Sequence, residues 1–234
     1  MDPRDRVASP WALLRADLGT WWRFSRPVAV LRAERPDDVP PLLGELEAAA
    51  RGGLWGVGFV TYESAAAFDR ALITRRQAPG VPAAWFALFE GPEEAAPPAA
   101  STESGRARFA LSASVSEEEY LAGVAAIREA IARGETYQAN WTYRLRGSLA
   151  APEGGASLPP LELFARLRAR QDAPYAAFLD LGAPAGARDG AGAAVCSVSP
   201  ELFFSRRGRK LLCRPMKGTA PRGRSAEEDL GLAE

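Results

Sequence analysis

The chain has 234 residues, enough for one large domain or two small ones. Basic and acidic residues both number 29, so no net field directs it to nucleic acid or to a membrane surface. It contains no histidine, which excludes Ser-His-Asp and Cys-His catalysis and histidine-ligated zinc; acid-base work falls to carboxylates, lysine, tyrosine or cysteine.

The first residues, Met1-Asp2-Pro3-Arg4-Asp5-Arg6, are followed by no apolar h-region. No apolar run approaches membrane-spanning length, and a cytoplasmic location is expected. Residues 39–51 carry Leu42, Leu43 and Leu46 at helical spacing and end at Gly52-Gly53, which predicts a helix. Residues 54–62 read as a buried strand and residues 83–89 as a second, rich in aromatics. Residues 91–108 are dominated by Pro, Ala, Glu, Ser and Gly, the composition of a linker or exposed loop.

A new unit opens at Ser116-Glu117-Glu118-Glu119. Ser116 can cap a helix and Glu119 can reach back to it. Leu121, Val124, Ile127 and Ile131 then follow one helical face, and Gly134 suits the residue past the helix end. Residues 137–145 alternate, with Tyr137, Ala139, Trp141, Tyr143 and Leu145 on one face, which predicts a strand. Residues 161–170 read as an amphipathic helix, 175–181 as a strand and 182–194 as a Gly/Ala loop. Residues 195–204 and 210–214 form an expected hairpin, turning at Ser205-Arg206-Arg207-Gly208. A second capping box, Ser225-Ala226-Glu227-Glu228, opens a helix barely two turns before Glu234; a helix this short is marginal unless it packs. The pattern is α+β, with mainly antiparallel sheets packed with helices. The expected division is an N-terminal domain over 1–90, a linker over 91–115 and a second unit over 116–234.

Two cysteines, Cys196 and Cys213, fit no metal spacing. Both lie in apolar runs, and buried free thiols are expected. Of the 29 basic residues only Lys210 and Lys217 are lysines. Arginine cannot act as an amine nucleophile and lysine can. Composition leaves open whether Lys217 is kept for its amine or survives by coding bias. Lys217 must lose its proton to attack, and Arg214 and Arg222 nearby would favour that loss. Gly218 and Thr219 could present backbone amides and a hydroxyl to an anionic substrate. Glu201 is a carboxylate at the head of the apolar run Leu202-Phe203-Phe204, either a general acid or a residue turned to solvent. With the turn centred on Arg206-Arg207, Glu201 lies opposite about Leu212, and Lys217 falls roughly 16 Å further along a straight strand.

Tyr137-Gln138-Ala139-Asn140-Trp141-Thr142, Ser199-Pro200-Glu201-Leu202-Phe203 and Arg214-Pro215-Met216-Lys217-Gly218-Thr219-Ala220-Pro221-Arg222-Gly223 occur in that order. Together they resemble the motifs of the chorismate-utilising enzymes, the large subunits of anthranilate synthase and aminodeoxychorismate synthase. Residues 58–65 and 85–89 resemble the N-terminal domain of the aminodeoxychorismate branch. Position 217 separates the branches: the motif carries alanine in anthranilate synthases and lysine in aminodeoxychorismate synthases. The resemblance implies the N-terminal part of the chorismate-utilising fold. It implies that Lys217 is a covalent nucleophile and Glu201 a general acid/base, with Gly218 and Thr219 against the substrate. It also implies chorismate as substrate, a glutamine amidotransferase subunit as ammonia source, and a role in p-aminobenzoate and folate biosynthesis. Mg2+ would be held by glutamates of a C-terminal part that this sequence does not contain. On that reading the chain holds the N-terminal half of the catalytic domain. The alternatives are anthranilate synthase or another enzyme of the same superfamily, and, in other classes, an inactive binding module or a nucleic-acid or anion-binding hairpin. The last rests on residues 202–226, which hold eight basic residues and no acidic one.

Overall fold

The computed structural model describes residues 9–15, 19–100, 108–150, 158–171, 173–182, 192–215, 223–225, 227–228 and 231. Contacts divide the chain into two units, one formed by residues 1–99 with 163–234 and the other by residues 100–162.

The first unit is built in layers. Its central sheet has the order β10-β9-β1-β2-β6, all antiparallel: β1 Trp11–Arg15, β2 Trp21–Phe24, β6 Glu93–Ala95, β9 Tyr175–Asp180 and β10 Ala194–Ser199. One sheet therefore takes strands from both sides of residues 91–115, and β6 lies within that segment. A second sheet, β3-β5-β4, is formed by β3 Ala29–Ala33, β5 Ala84–Phe89 and β4 Trp55–Val60.

Strand alternation sorts the side chains between layers. Ala12, Phe24 and Leu179 of the central sheet pack on Val57, Trp85, Ala87 and Phe89 of the second sheet. Leu13, Trp21, Ala176 and Phe178, on the opposite face, pack on Phe164. Phe164 comes from helix α3, Pro160–Arg170, and is fully buried, with its ring 5.8 Å from Phe178 and 6.1 Å from Trp21. Ala84 of β5 instead faces helix α1, Val39–Arg51, where Val39 and Leu42 are buried. α1 begins on Pro40-Pro41, whose missing N–H groups cost nothing in a first turn, and ends at Gly52-Gly53 as expected. The order of layers is α3, central sheet, second sheet, α1.

The second unit pairs β7, Arg108–Ala113, with β8, Leu145–Ala150, beside helix α2, Glu117–Ala132. The capping box forms as expected: the Glu119 N–H donates to Ser116 Oγ at 3.1 Å, and the Ser116 N–H donates to the Glu119 carboxylate at 2.7 Å. These bonds hold the Glu119 carboxyl below its ordinary range. The strand expected over 137–145 is corrected. Regular pairing begins only at Leu145, because β7 runs out of partners at Ala113. The alternation still sorted faces: Trp141 and Tyr143 both meet Tyr120 of α2, with ring centroids 6.5 and 5.6 Å away.

The remaining element is a hairpin in the first unit, β11 Leu202–Arg207 with β12 Lys210–Arg214. The sequence reading ran one strand from 195 to 204. The structure breaks it at Pro200-Glu201, so that β10 belongs to the central sheet and β11 to the hairpin. Proline has no N–H to donate to a ladder, and the break falls there.

Candidate active site

Glu201 stands at that break. Its backbone N–H donates to Ser199 Oγ at 3.3 Å, and the same hydroxyl donates to the Glu201 carbonyl at 2.9 Å. A hydroxyl that bonds its own chain two residues on favours a turn over a continued strand. Glu201 is exposed rather than buried among apolar groups, so the geometry fits the solvent-facing alternative.

The hairpin register differs from the one read from the sequence. Arg207 pairs with Lys210, so the turn is Gly208-Arg209, two residues later than expected. Gly208 has φ +58°, the left-handed region that a two-residue hairpin turn demands and glycine adopts without penalty. At the far end Leu202 pairs with Arg214, with an irregularity between Leu202 and Ser205. Glu201 therefore falls beside Pro215 instead of Leu212. Both line a recess of about 420 Å³, together with Ser199, Leu202, Phe203 and Cys213. Lys217, Gly218 and Thr219 lie outside the described residues.

Cys213 was missed as a site residue. The apolar run around it suggested burial, yet it is exposed on the recess wall. A two-stranded hairpin has no second layer to bury alternate residues. Cys196 in β10 is half-buried, and burial pushes its thiol above the ordinary range. Among the described residues no three His, Cys, Asp or Glu side chains gather to hold a metal ion. The second capping box is half formed: the Glu228 N–H donates to Ser225 Oγ at 3.2 Å, but its carboxylate accepts from Arg224 N–H. No helix among the described residues is long and apolar enough to cross a membrane.

The α+β architecture, with Glu201 on a break between antiparallel strands, is accompanied by a match to the family of chorismate binding enzymes over residues 12–234. The chain belongs to that family. It is 35% identical over 130 residues to anthranilate synthase component 1 of Thermus thermophilus, covering 56% of this chain and 24% of that protein. It is 31% identical over 123 residues to aminodeoxychorismate synthase component 1 of Bacillus subtilis, covering 53% of this chain and 23% of that protein. It is 37% identical over 115 residues to the aminodeoxychorismate synthase of Streptomyces griseus, covering 48% and 14%. The matches thus span about a quarter or less of these relatives' lengths.

Proposed function

We propose that the chain is part of an aminodeoxychorismate synthase component I, which converts chorismate and ammonia to 4-amino-4-deoxychorismate. The observation that carries this reading is Lys217, one of two lysines, in the motif position where the aminodeoxychorismate branch is set apart. The relatives of that name support it. In this reading the Lys217 amine adds to C2 of chorismate as the C4 hydroxyl departs with a proton from Glu201, leaving as water. Ammonia then bonds to C4, and the electron pair returning through the ring expels the lysine from C2. The exposure of Glu201 on the recess beside the Ser199 turn is compatible with that role. Gly218 and Thr219 position the substrate. A glutamine amidotransferase supplies the ammonia, Mg2+ is held by residues outside those described, and the enzyme works in the cytoplasm.

The relatives named anthranilate synthase favour a second reading, in which the same scaffold makes anthranilate. Chromatography of the product formed from chorismate and ammonia by the intact enzyme tests the two. Aminodeoxychorismate, lost in Lys217→Ala, is expected. Anthranilate as the product, or unchanged turnover in Lys217→Ala, would overturn the proposal.

A further inference from the structure

Glu201 lies between two strand ladders and belongs to neither. β10 ends with Ser199 opposite Tyr175 of β9, and β11 begins with Leu202 opposite Arg214 of β12. Pro200 and Glu201 join the two. Within a ladder, hydrogen bonds to the partner strand hold the peptide groups on both sides of a residue, and so fix where its side chain points. Pro200 locks its own φ and keeps Ser199 extended, but neither effect reaches φ or ψ of Glu201.

The Ser199 hydroxyl supplies that hold. Its Oγ accepts from the Glu201 N–H at 3.3 Å and donates to the Glu201 carbonyl at 2.9 Å. The N–H belongs to the peptide group before the Glu201 Cα, and the carbonyl to the one after it. Holding both restricts φ and ψ of Glu201 together, and with them the direction of its Cα–Cβ bond. The task needs one atom that both donates and accepts, which a serine or threonine hydroxyl does and an alanine or valine side chain does not. The flanking pieces are tied as well. Arg214, opposite Leu202, donates through Nη1 to the hydroxyl of Tyr175, opposite Ser199, at 3.5 Å. The hairpin is thereby joined to the central sheet across the break, and Ser199 sets the residue between them.

We infer that Ser199 is a positioning residue, whose hydroxyl aims the Glu201 carboxyl into the recess that both residues line. The inference rests on Glu201 acting as the acid in the function proposed above, and it names the group through which that acid is aimed. Ser199 itself gives up no proton, since its hydroxyl hydrogen is engaged by the Glu201 carbonyl. A misplacement of about 1 Å at a reacting group costs up to about 10²-fold in rate. With two ordinary hydrogen bonds lost and the chain still joined on both sides, about a tenfold loss of kcat is expected.

Steady-state kinetics of the intact enzyme tests it, with Ser199→Ala, Ser199→Val and Ser199→Thr each made with and without Glu201→Gln. Threonine and valine have the same shape and differ by the hydroxyl. Ser199→Ala and Ser199→Val are expected to lower kcat about tenfold with KM for chorismate unchanged, and Ser199→Thr to stay within about twofold of the parent. In the Glu201→Gln background Ser199→Ala is expected to cause no further loss, because a residue that acts through Glu201 has nothing left to aim. Thermal melting checks that each variant is folded. Full kcat in Ser199→Ala, equal losses in Ser199→Thr and Ser199→Val, or a loss that multiplies with that of Glu201→Gln overturns the inference while leaving Glu201 as the acid. Full turnover in Glu201→Gln removes the acid assignment, and the inference with it.

Discussion

Leu202 lies opposite Arg214, and that one pairing brings Glu201 to the recess lined by Pro215. Two residues later in the chain comes Lys217. The register of an exposed hairpin thus sets which residues of the second strand the proposed acid lies beside. A slip of one residue would reverse which face each side chain occupies.

The first prediction concerns Glu201. Glu201→Gln keeps the size of the side chain and its backbone bonds to Ser199 but cannot give up a carboxyl proton. If Glu201 protonates the departing hydroxyl, kcat falls about 10²-fold or more while KM for chorismate changes little. A rise in KM with kcat preserved would make Glu201 a binding residue.

The second uses the two thiols as reporters. Cys213 is exposed on the Glu201 recess, and Cys196 is half-buried with its thiol pushed up by burial. Only the thiolate reacts. Maleimide is expected to modify Cys213 first, and modification of Cys196 to need a higher pH. Chorismate is expected to slow the labelling of Cys213. Peptide mapping across a pH series reads all three outcomes; equal rates at both cysteines would contradict the burial difference.

Much of the first unit was legible in the sequence. The leucine spacing of 42, 43 and 46 gave α1, which buries one face, and the aromatic-rich apolar run 83–89 gave β5, which is buried on nearly every residue. β1, β2 and β3 were missed. They are four or five residues long, too short to show a period, and their faces are defined by partners distant in the chain, such as Phe178 beside Leu13 and Leu88 beside Ala29. The hairpin turn was misplaced for a local reason. Ser205 to Gly208 is rich in turn formers, but the positive φ belongs to Gly208 itself, which fixes Gly208-Arg209 as the turn. Glu201 was legible as a candidate from its motif. Its exposure was not, since the apolar residues after it enter a hairpin rather than a core.

The third prediction is about packing. Phe164 is fully buried between Trp21 and Phe178 and fastens α3 to the central sheet. Phe164→Ala should destabilise the fold by about 3–5 kcal/mol, through lost burial and the cavity left behind. Gly58 of β4 makes the opposite case: a Cβ there would collide with the Trp85 carbonyl oxygen. Gly58→Ala should cost about 1–3 kcal/mol by overpacking. Denaturant titration measures both, and a midpoint unchanged in either variant would contradict the layer arrangement.

The fourth concerns the capping box of α2. Ser116→Ala removes the hydroxyl acceptor of the Glu119 N–H, at a cost of about 1 kcal/mol. The Glu119 carboxyl is lowered in the folded chain by its hydrogen bonds to Ser116. Its contribution is therefore present above the unfolded carboxylate pKa of about 4.3 and is lost as pH falls through the lower folded value. Glu119→Gln should flatten the acid limb of the stability curve while leaving a cap at Ser116. An acid limb unchanged from the parent would exclude this contribution.

The most direct measurement is intact-protein mass spectrometry of the enzyme mixed with chorismate in the absence of ammonia. The account predicts an adduct of chorismate less one water, mapped to Lys217, absent in Lys217→Ala and discharged when ammonia is added. An enzyme that makes aminodeoxychorismate at full rate with no adduct, or with Lys217 replaced by alanine, would contradict it.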